Sequence, residues 1–177
     1  MAIRIDQFVI IALLLSLSAC DRNHSERFVQ IPPRTIKVDT ADGMPFIAVI
    51  SDSTKKLRFI PNTDDLALID RQVKKAVEDH NRGMREYLKK MKIEDPTLTL
   101  RVEDFMIDIR NYKRQYIAYI NSKNEKEVWV NCFCETWDTD DWKFKIVEVK
   151  DGGNCYFNLK INLEQKAYLE FCLNGTA

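Results

Sequence analysis

Residues 62–96 read NTDDLALIDRQVKKAVEDHNRGMREYLKKMKIEDP, and this stretch decides the fold class. Its apolar side chains recur at steps of three, four and seven residues, which places them on one face of a helix. They are Leu66, Ile69, Val73, Ala76, Val77, Met84, Leu88 and Met91. Asn62 or Thr63 can cap this helix, and Pro96 ends it at the latest. Because Gly83 weakens a helix, the sequence predicts either one long helix that can bend there or two helices.

Beyond Pro96 the apolar period changes from about 3.6 residues to two, which is the period of a β-strand. Strands are predicted over residues 98–102, 114–120, 127–134, 143–149, 155–163 and 167–173. Shorter strands are predicted before the helix, over residues 35–38, 45–50 and 56–60. One side of the later strands is apolar and the other polar, which indicates an antiparallel sheet covered on one face. In the last strand this alternation points Leu169 toward the core and Tyr168 away from it.

These elements predict an α+β domain in which one long helix packs on a curled antiparallel sheet. Cystatin-like and nuclear-transport-factor-like folds share this layout. The likeness concerns the fold alone, because such folds carry many different functions. We assign residues 27–177 to this single domain, since a chain of 177 residues has the length of one domain.

Charge and composition exclude several classes of protein. The chain carries 27 basic and 27 acidic side chains, whereas a general nucleic-acid binder has a basic excess. Gly and Pro number only five each, which excludes collagen-like and low-complexity chains. We therefore predict that the protein has no nucleic-acid partner.

The N-terminal residues have the pattern of an export signal. Arg4 lies in a short polar start, and an apolar run of about ten residues follows from Phe8, too short for a membrane span of roughly 20. The next residues, Leu17-Ser18-Ala19-Cys20, resemble the lipobox of bacterial lipoproteins. The resemblance covers only the first twenty residues and implies cleavage before Cys20, with lipid on its sulfur and amino group. Residues 1–19 would then be a signal peptide, and residues 20–26 a lipidated cysteine and short tether.

The lipobox resemblance also implies a location. Several acyl chains on one cysteine anchor a protein firmly, since each buried CH₂ contributes about 0.8 kcal/mol. Enterobacterial lipoproteins with Asp directly after the lipidated cysteine tend to stay in the inner membrane, and Asp21 matches that pattern. We therefore expect the domain on the periplasmic side of a cell membrane, held by lipid, with the inner membrane favoured.

Four cysteines remain beside Cys20, namely Cys132, Cys134, Cys155 and Cys172. An even number in an exported domain predicts disulfides, because the compartment is oxidising. Side-chain alternation places Cys155 on the core side with Cys132 and Cys134, which favours a bond between Cys155 and one of those two. A simple meander would instead bring Cys155 close to Cys172, so the pairing stays open. Free buried thiols are one alternative, and a metal or redox site at the C-x-C motif is another, although zinc there would need two further ligands.

The remaining polar candidates are each predicted to be structural. His80 falls on or beside the apolar helix face, where we expect it to pack against the sheet, because a general base needs converging partners. Residues 138–141, Asp-Thr-Asp-Asp, lack the Gly and Glu that a calcium loop requires at its later positions. No serine, cysteine–histidine or metal constellation is recognisable. We therefore predict neither enzymatic activity nor a metal or other cofactor.

Trp137 and Trp142 flank this acidic loop. A tryptophan at a loop tip can anchor a partner protein, so the pair forms a possible interaction loop. The alternative is that one or both pack on the edge of the sheet.

Two functional hypotheses follow from these features. The first is a membrane-anchored lipoprotein with a non-enzymatic binding or assembly role, whose partner is a protein or other component of the cell envelope. The second is an inhibitor or immunity-type protein that blocks an enzyme in the periplasm. A hydrolase is the least favoured class, because the sequence offers no catalytic constellation.

Overall fold

The computed structural model describes residues 37–38, 47–49, 59–135, 140–143 and 145–175. They form one helix, α1 (Thr63–Glu94), and six strands. The strands are β1 (Lys37–Val38), β2 (Ile47–Val49), β3 (Lys113–Ile120), β4 (Lys126–Phe133), β5 (Tyr156–Asn162) and β6 (Ala167–Leu173). They lie side by side in chain order, and β3 to β6 are antiparallel, whereas β2 runs parallel to β3. The predicted α+β layout, one long helix on a curled antiparallel sheet, is confirmed.

Helix α1 begins and ends at the residues that the sequence indicates. Asn62 and Asp65 form a capping box, in which each side chain accepts a hydrogen bond from the other residue's backbone N–H. The helix continues through Gly83 to Glu94 and ends just before Pro96. It is therefore one helix, and the alternative of two helices is wrong. Among the described helices, none is both long enough and apolar enough to cross a membrane.

The helix is much longer than the strands it covers. Its 32 residues span about 48 Å at 1.5 Å per residue, whereas an eight-residue strand spans about 27 Å. Four of its five buried residues lie in the first half, and only Leu88 is buried in the second. Asn81 ties the second half to the following segment, because its amide both donates to Ile107 O (2.8 Å) and accepts from Ile107 N (2.9 Å).

The main core lies between α1 and one face of the sheet. Inward side chains from the central strands meet in register, with Val128 opposite Ile161 and Val130 opposite Leu159. All four of these side chains are fully buried. They pack against Ile69, Val73, Ala76 and Val77 of the helix. The residues that carry this core are those that the 3.6-residue and two-residue periods predict.

A β-bulge changes the facing of the last strand. Lys160 pairs with Glu170 and Ile161 with Tyr168, so Leu169 is an extra residue in β6. As a result Tyr168 packs on the main core, and Leu169 is 44% exposed. The prediction that Leu169 faces inward and Tyr168 outward is wrong, because strict alternation does not allow for an inserted residue.

Two predicted strands do not form, and a third is not found in the part of it that the structure describes. In place of the strand predicted over residues 98–102, residues 98–101 are irregular and residues 102–105 form a 3-10 turn. In place of the strand predicted over residues 143–149, residues 140–143 form a 3-10 turn and residues 145–149 contain no strand. Of the strand predicted over residues 56–60, the described residues 59 and 60 are irregular.

The expectation that only one face of the sheet is covered is also wrong. A second apolar cluster lies on the face opposite α1, where Ile117, Phe133, Trp142 and Tyr156 are buried. Ile146, Val147 and Val149 pack against this cluster. Between β4 and β5, residues Trp142, Ile146, Val147 and Val149 therefore cover the second face and form no strand.

Candidate functional site

A disulfide closes the segment that covers the second face. Cys134 and Cys155 are bonded, with Cα atoms 5.0 Å apart, and they lie 21 positions apart in the sequence. They directly follow β4 and directly precede β5, and Cys134 N donates to Cys155 O at 2.9 Å. We call residues 134–155 the clamped loop. The prediction that Cys155 bonds with Cys132 or Cys134 is confirmed for Cys134.

The other two domain cysteines do not bond to one another. Cys132 is a free thiol, fully buried in the main core, and burial raises its pKa to about 12. Cys172 lies on β6 opposite Asn158. The meander argument placed Cys155 near Cys172 and at the opposite end of the sheet from Cys134, because it assumed an intervening strand over residues 143–149. Cys155 does precede β5 at the end of the sheet where Cys172 lies, so only its separation from Cys134 is wrong. Without that strand, β4 and β5 are neighbours and their adjoining ends bring Cys134 to Cys155.

A pair of buried side-chain amides holds the clamped loop to the sheet. Gln115 Nε2 donates to Trp142 O (2.5 Å) and Lys145 O (2.6 Å), and its Oε1 accepts from Val147 N at 2.9 Å. The Asn131 amide donates to Gln115 Oε1 (3.1 Å) and to Val147 O (2.8 Å). Gln115 is fully buried and Asn131 is 8% exposed. These two amides satisfy backbone groups that an irregular segment would otherwise leave without partners.

Sequence reasoning missed this amide pair. Gln115 and Asn131 lie on the polar side of β3 and β4, and that side reads as facing solvent when the sheet is assumed to have one covered face. The available signal was the side-chain type. An uncharged side-chain amide can both donate hydrogen bonds to backbone C=O groups and accept them from backbone N–H groups. Lysine and glutamate are more typical of a strand face that is exposed to solvent.

Trp142 takes part in the packing of the second face. It is 5% exposed and meets Phe133 edge to face, with ring centroids 5.8 Å apart. The ammonium of Lys113 lies 5.4 Å from its ring centroid. Trp142 therefore follows the alternative of packing on the sheet, while Trp137 lies outside the described residues. The interaction role of their loop stays a prediction.

A buried ion pair joins the helix to the sheet. Arg114 on β3 is 2% exposed, and its Nη1 donates to Asp70 Oδ1 of α1 at 2.8 Å. Lys74 lies 2.8 Å from the other oxygen of the same carboxylate. Partial burial alone would raise the pKa of Asp70, but hydrogen bonds from Lys74 and Arg114 hold it below its ordinary value. The Asp70 carboxylate therefore holds α1 in position on the sheet.

The acidic loop supplies an ion pair of its own. Asp138 and Thr139 lie outside the described residues, and Asp141 pairs with Lys145 at 2.8 Å. Among the described residues, the one group of three or more potential ligands is Cys134, Glu135 and Cys155, which does not belong to a calcium-type loop.

His80 packs against the sheet as predicted. Its ring stacks on Phe171 of β6 with centroids 5.2 Å apart, and burial lowers its pKa. The neighbouring Asp79 accepts from Lys75 (2.6 Å), from the Tyr168 hydroxyl (2.8 Å) and from Arg82. Hydrogen bonds, first of all from Lys75, lower the pKa of Asp79 to about 2. His80 and Asp79 are thus held by structural contacts.

We expect a His80→Leu substitution to flatten the pH dependence of stability. The native state binds a proton at His80 less readily than the unfolded state, whose ordinary pKa is 6.5. Below that value the unfolded state holds more protons, so the wild-type free energy of unfolding falls as the pH decreases. Urea unfolding at about pH 7.5 and about pH 5 measures this difference.

The other histidine provides the control for this measurement. His24 belongs to the predicted tether, so a His24→Leu protein should keep the wild-type slope. An equal slope in the wild-type and His80→Leu proteins would contradict the assignment of His80.

No known family model, curated protein or solved structure matches this chain significantly.

Proposed function

We propose that this protein is a membrane-anchored cell-envelope lipoprotein with a non-enzymatic binding or assembly role. The anchoring rests on one observation, the Leu17-Ser18-Ala19-Cys20 box after an apolar run. In this proposal Cys20 carries the lipid and residues 20–26 form the tether. Seven extended residues reach about 25 Å at most, so the domain works close to the periplasmic surface of the membrane. Asp21 favours the inner membrane.

The non-enzymatic role is supported by what the reactive side chains do. His80 is stacked on Phe171, Asp70 is paired with Arg114, and Cys132 is a buried thiol whose raised pKa keeps it protonated at neutral pH. His80 and Asp70 are therefore held in structural contacts, and Cys132 is part of the main core. The clamped loop supports a binding role, because a disulfide and buried amides hold its described residues in place in advance and so reduce the entropy that they lose on binding.

The anchor predicts a clear result for a Cys20→Ala protein. Without the sulfur that accepts lipid, it should move from the membrane fraction to the soluble fraction and lose incorporation of a labelled fatty acid. A Cys134→Ser/Cys155→Ser protein is the matched control, because it loses two other cysteines and should stay in the membrane fraction. A Cys20→Ala protein that stays with the membrane would overturn the anchor. So would peptide mapping that finds the Cys20 sulfur in a disulfide.

The binding role is tested by crosslinking in cells. A photoreactive amino acid introduced at Glu135, an exposed residue of the clamped loop, should capture an envelope component. The same probe at Glu94, exposed at the end of α1, is the control and should not capture that component. Recovery of a toxin or hydrolase as the main crosslinked species would contradict the assembly role and establish the inhibitor or immunity hypothesis instead.

A further inference from the structure

Three potential metal ligands meet at the base of the clamped loop. The Cys134 and Cys155 sulfur atoms and a Glu135 carboxylate oxygen all lie within 4.8 Å of one another. Cys134 and Glu135 are exposed, and Cys155 is half-buried. The cluster is therefore accessible both to a reductant and to an ion from solvent.

The two sulfur atoms are held together by more than their own bond. Cys134 N donates to Cys155 O at 2.9 Å, and the next residues inward, Phe133 and Tyr156, are paired in the β4–β5 ladder. Cys155 N in turn donates to Gly152 O at 3.2 Å. These are backbone hydrogen bonds that do not involve the sulfur atoms, so none of them requires the disulfide. We therefore expect the two thiols of the reduced protein to stay close to one another and to Glu135.

We propose that the reduced cluster binds a thiophilic divalent cation, with Zn²⁺ as the type case, through Cys134, Cys155 and Glu135. Two thiolates and one carboxylate are donors that zinc accepts, and three protein ligands leave a fourth position for water. This site is independent of the proposed lipid anchor. Cys132 takes no part, because it is buried in the main core on the helix side of the sheet.

The redox step needs a reductant, which in this proposal is a dithiol that reaches the exposed disulfide from solvent. The dithiol gives two electrons and two protons, the Cys134–Cys155 S–S bond breaks, two S–H groups form, and the reductant becomes a disulfide. Zinc then binds the two sulfur atoms as thiolates and releases those two protons to solvent. A disulfide oxidant reverses the process: it accepts the two electrons and takes two protons from solvent to become a dithiol, while the Cys134–Cys155 bond re-forms and the ion leaves. Disulfide and metal therefore exclude each other, although either closes the loop.

Metal titration of the purified full-length mature protein tests the site. Zn²⁺ is added to reduced and to unreduced protein in the presence of a competing chromophoric chelator, and Co²⁺ is added in parallel to detect thiolate ligation by its charge-transfer absorption. The reduced protein should bind one ion that the unreduced protein does not bind. Zn²⁺ should also restore thermal stability that reduction removes, because it closes the same loop.

Three variants locate the ion. Cys134→Ser should abolish the cobalt–thiolate absorption of this site, and Glu135→Gln should weaken binding by about tenfold or more, since it removes a ligand and not only a supporting group. Glu94→Gln, an exposed carboxylate at the end of α1, should bind as the wild type does. The proposal is overturned if the reduced wild type takes up no stoichiometric ion. Undiminished binding by Cys134→Ser or Glu135→Gln overturns it too.

Discussion

A Cys134→Ser/Cys155→Ser protein is expected to lose about 3 kcal/mol of unfolding free energy, because the bond closes a loop of intermediate length. The bond joins residues 21 positions apart and restricts the unfolded chain. The native hydrogen bond from Cys134 N to Cys155 O does not depend on the sulfur atoms, so the β4–β5 pairing should persist in the variant. Chemical denaturation of both proteins without reductant measures the difference.

Reduction of the wild type provides the companion measurement. With metal excluded, reductant should lower the stability of the wild type by about 3 kcal/mol more than it lowers the stability of the double-serine protein, because only the wild type has the Cys134–Cys155 bond to lose. Equal stability of the two proteins under oxidising conditions would contradict the stabilising role of the Cys134–Cys155 bond.

Replacing Gln115 by leucine is expected to cost about 3 kcal/mol or more, because buried polar groups left without partners cost roughly 1–3 kcal/mol each. The substitution removes the partner of Trp142 O, Lys145 O and Val147 N together. The clamped loop should loosen, and the environment of Trp142 should change from buried to solvated. Denaturant unfolding gives the energy, and tryptophan fluorescence with acrylamide quenching reports the loop.

Gln165→Leu is the matched control, since Gln165 is exposed and its amide makes only 3.4 Å contacts with Glu125. Its effect should stay within about 0.5 kcal/mol. Gln115→Leu combined with the double-serine change should show coupling, because both act on one loop. Strict additivity of the two effects would indicate that the disulfide and the amide pair act on separate parts of the fold.

The helix and the central strands could be predicted from the sequence, because their side chains obey a single period. In α1 the capping residue Asn62, the apolar stripe and Pro96 all agree on one element. In β4 and β5 the inward residues alternate without interruption, so their shared face follows from the pleat. Consistent local signals of this kind make an element readable without an alignment.

The sequence-based predictions are wrong where tertiary contacts override the local pattern of side chains. One inserted residue in β6 turns Tyr168 to the core, where its hydroxyl reaches Asp79, and no local signal marks the insertion. Residues 145–149 are rich in β-branched side chains, as a strand is, but Ile146, Val147 and Val149 instead cover the second face of the sheet. A segment held by side-chain amides does not need strand partners for its backbone.

The candidate site at Cys134, Glu135 and Cys155 could be predicted from the sequence only in part. The cysteines were identified, and side-chain facing narrowed the partner of Cys155 to two neighbours. The choice of Cys134 depends on where β4 ends, because alternation stops applying beyond Phe133. Glu135 could be connected with the cysteines only once the ends of β4 and β5 were known to adjoin, since its carboxylate is near Cys155 in space and not in sequence.

The buried thiol of Cys132 is a built-in chemical probe for transient opening of the main core. It has no exposed surface, and its pKa of about 12 keeps it unreactive while the sheet is intact. An alkylating reagent therefore reaches this sulfur only in molecules whose sheet has separated from the helix. The rate at which Cys132 is alkylated therefore reports how readily the core opens under native conditions, without denaturant and without an introduced probe.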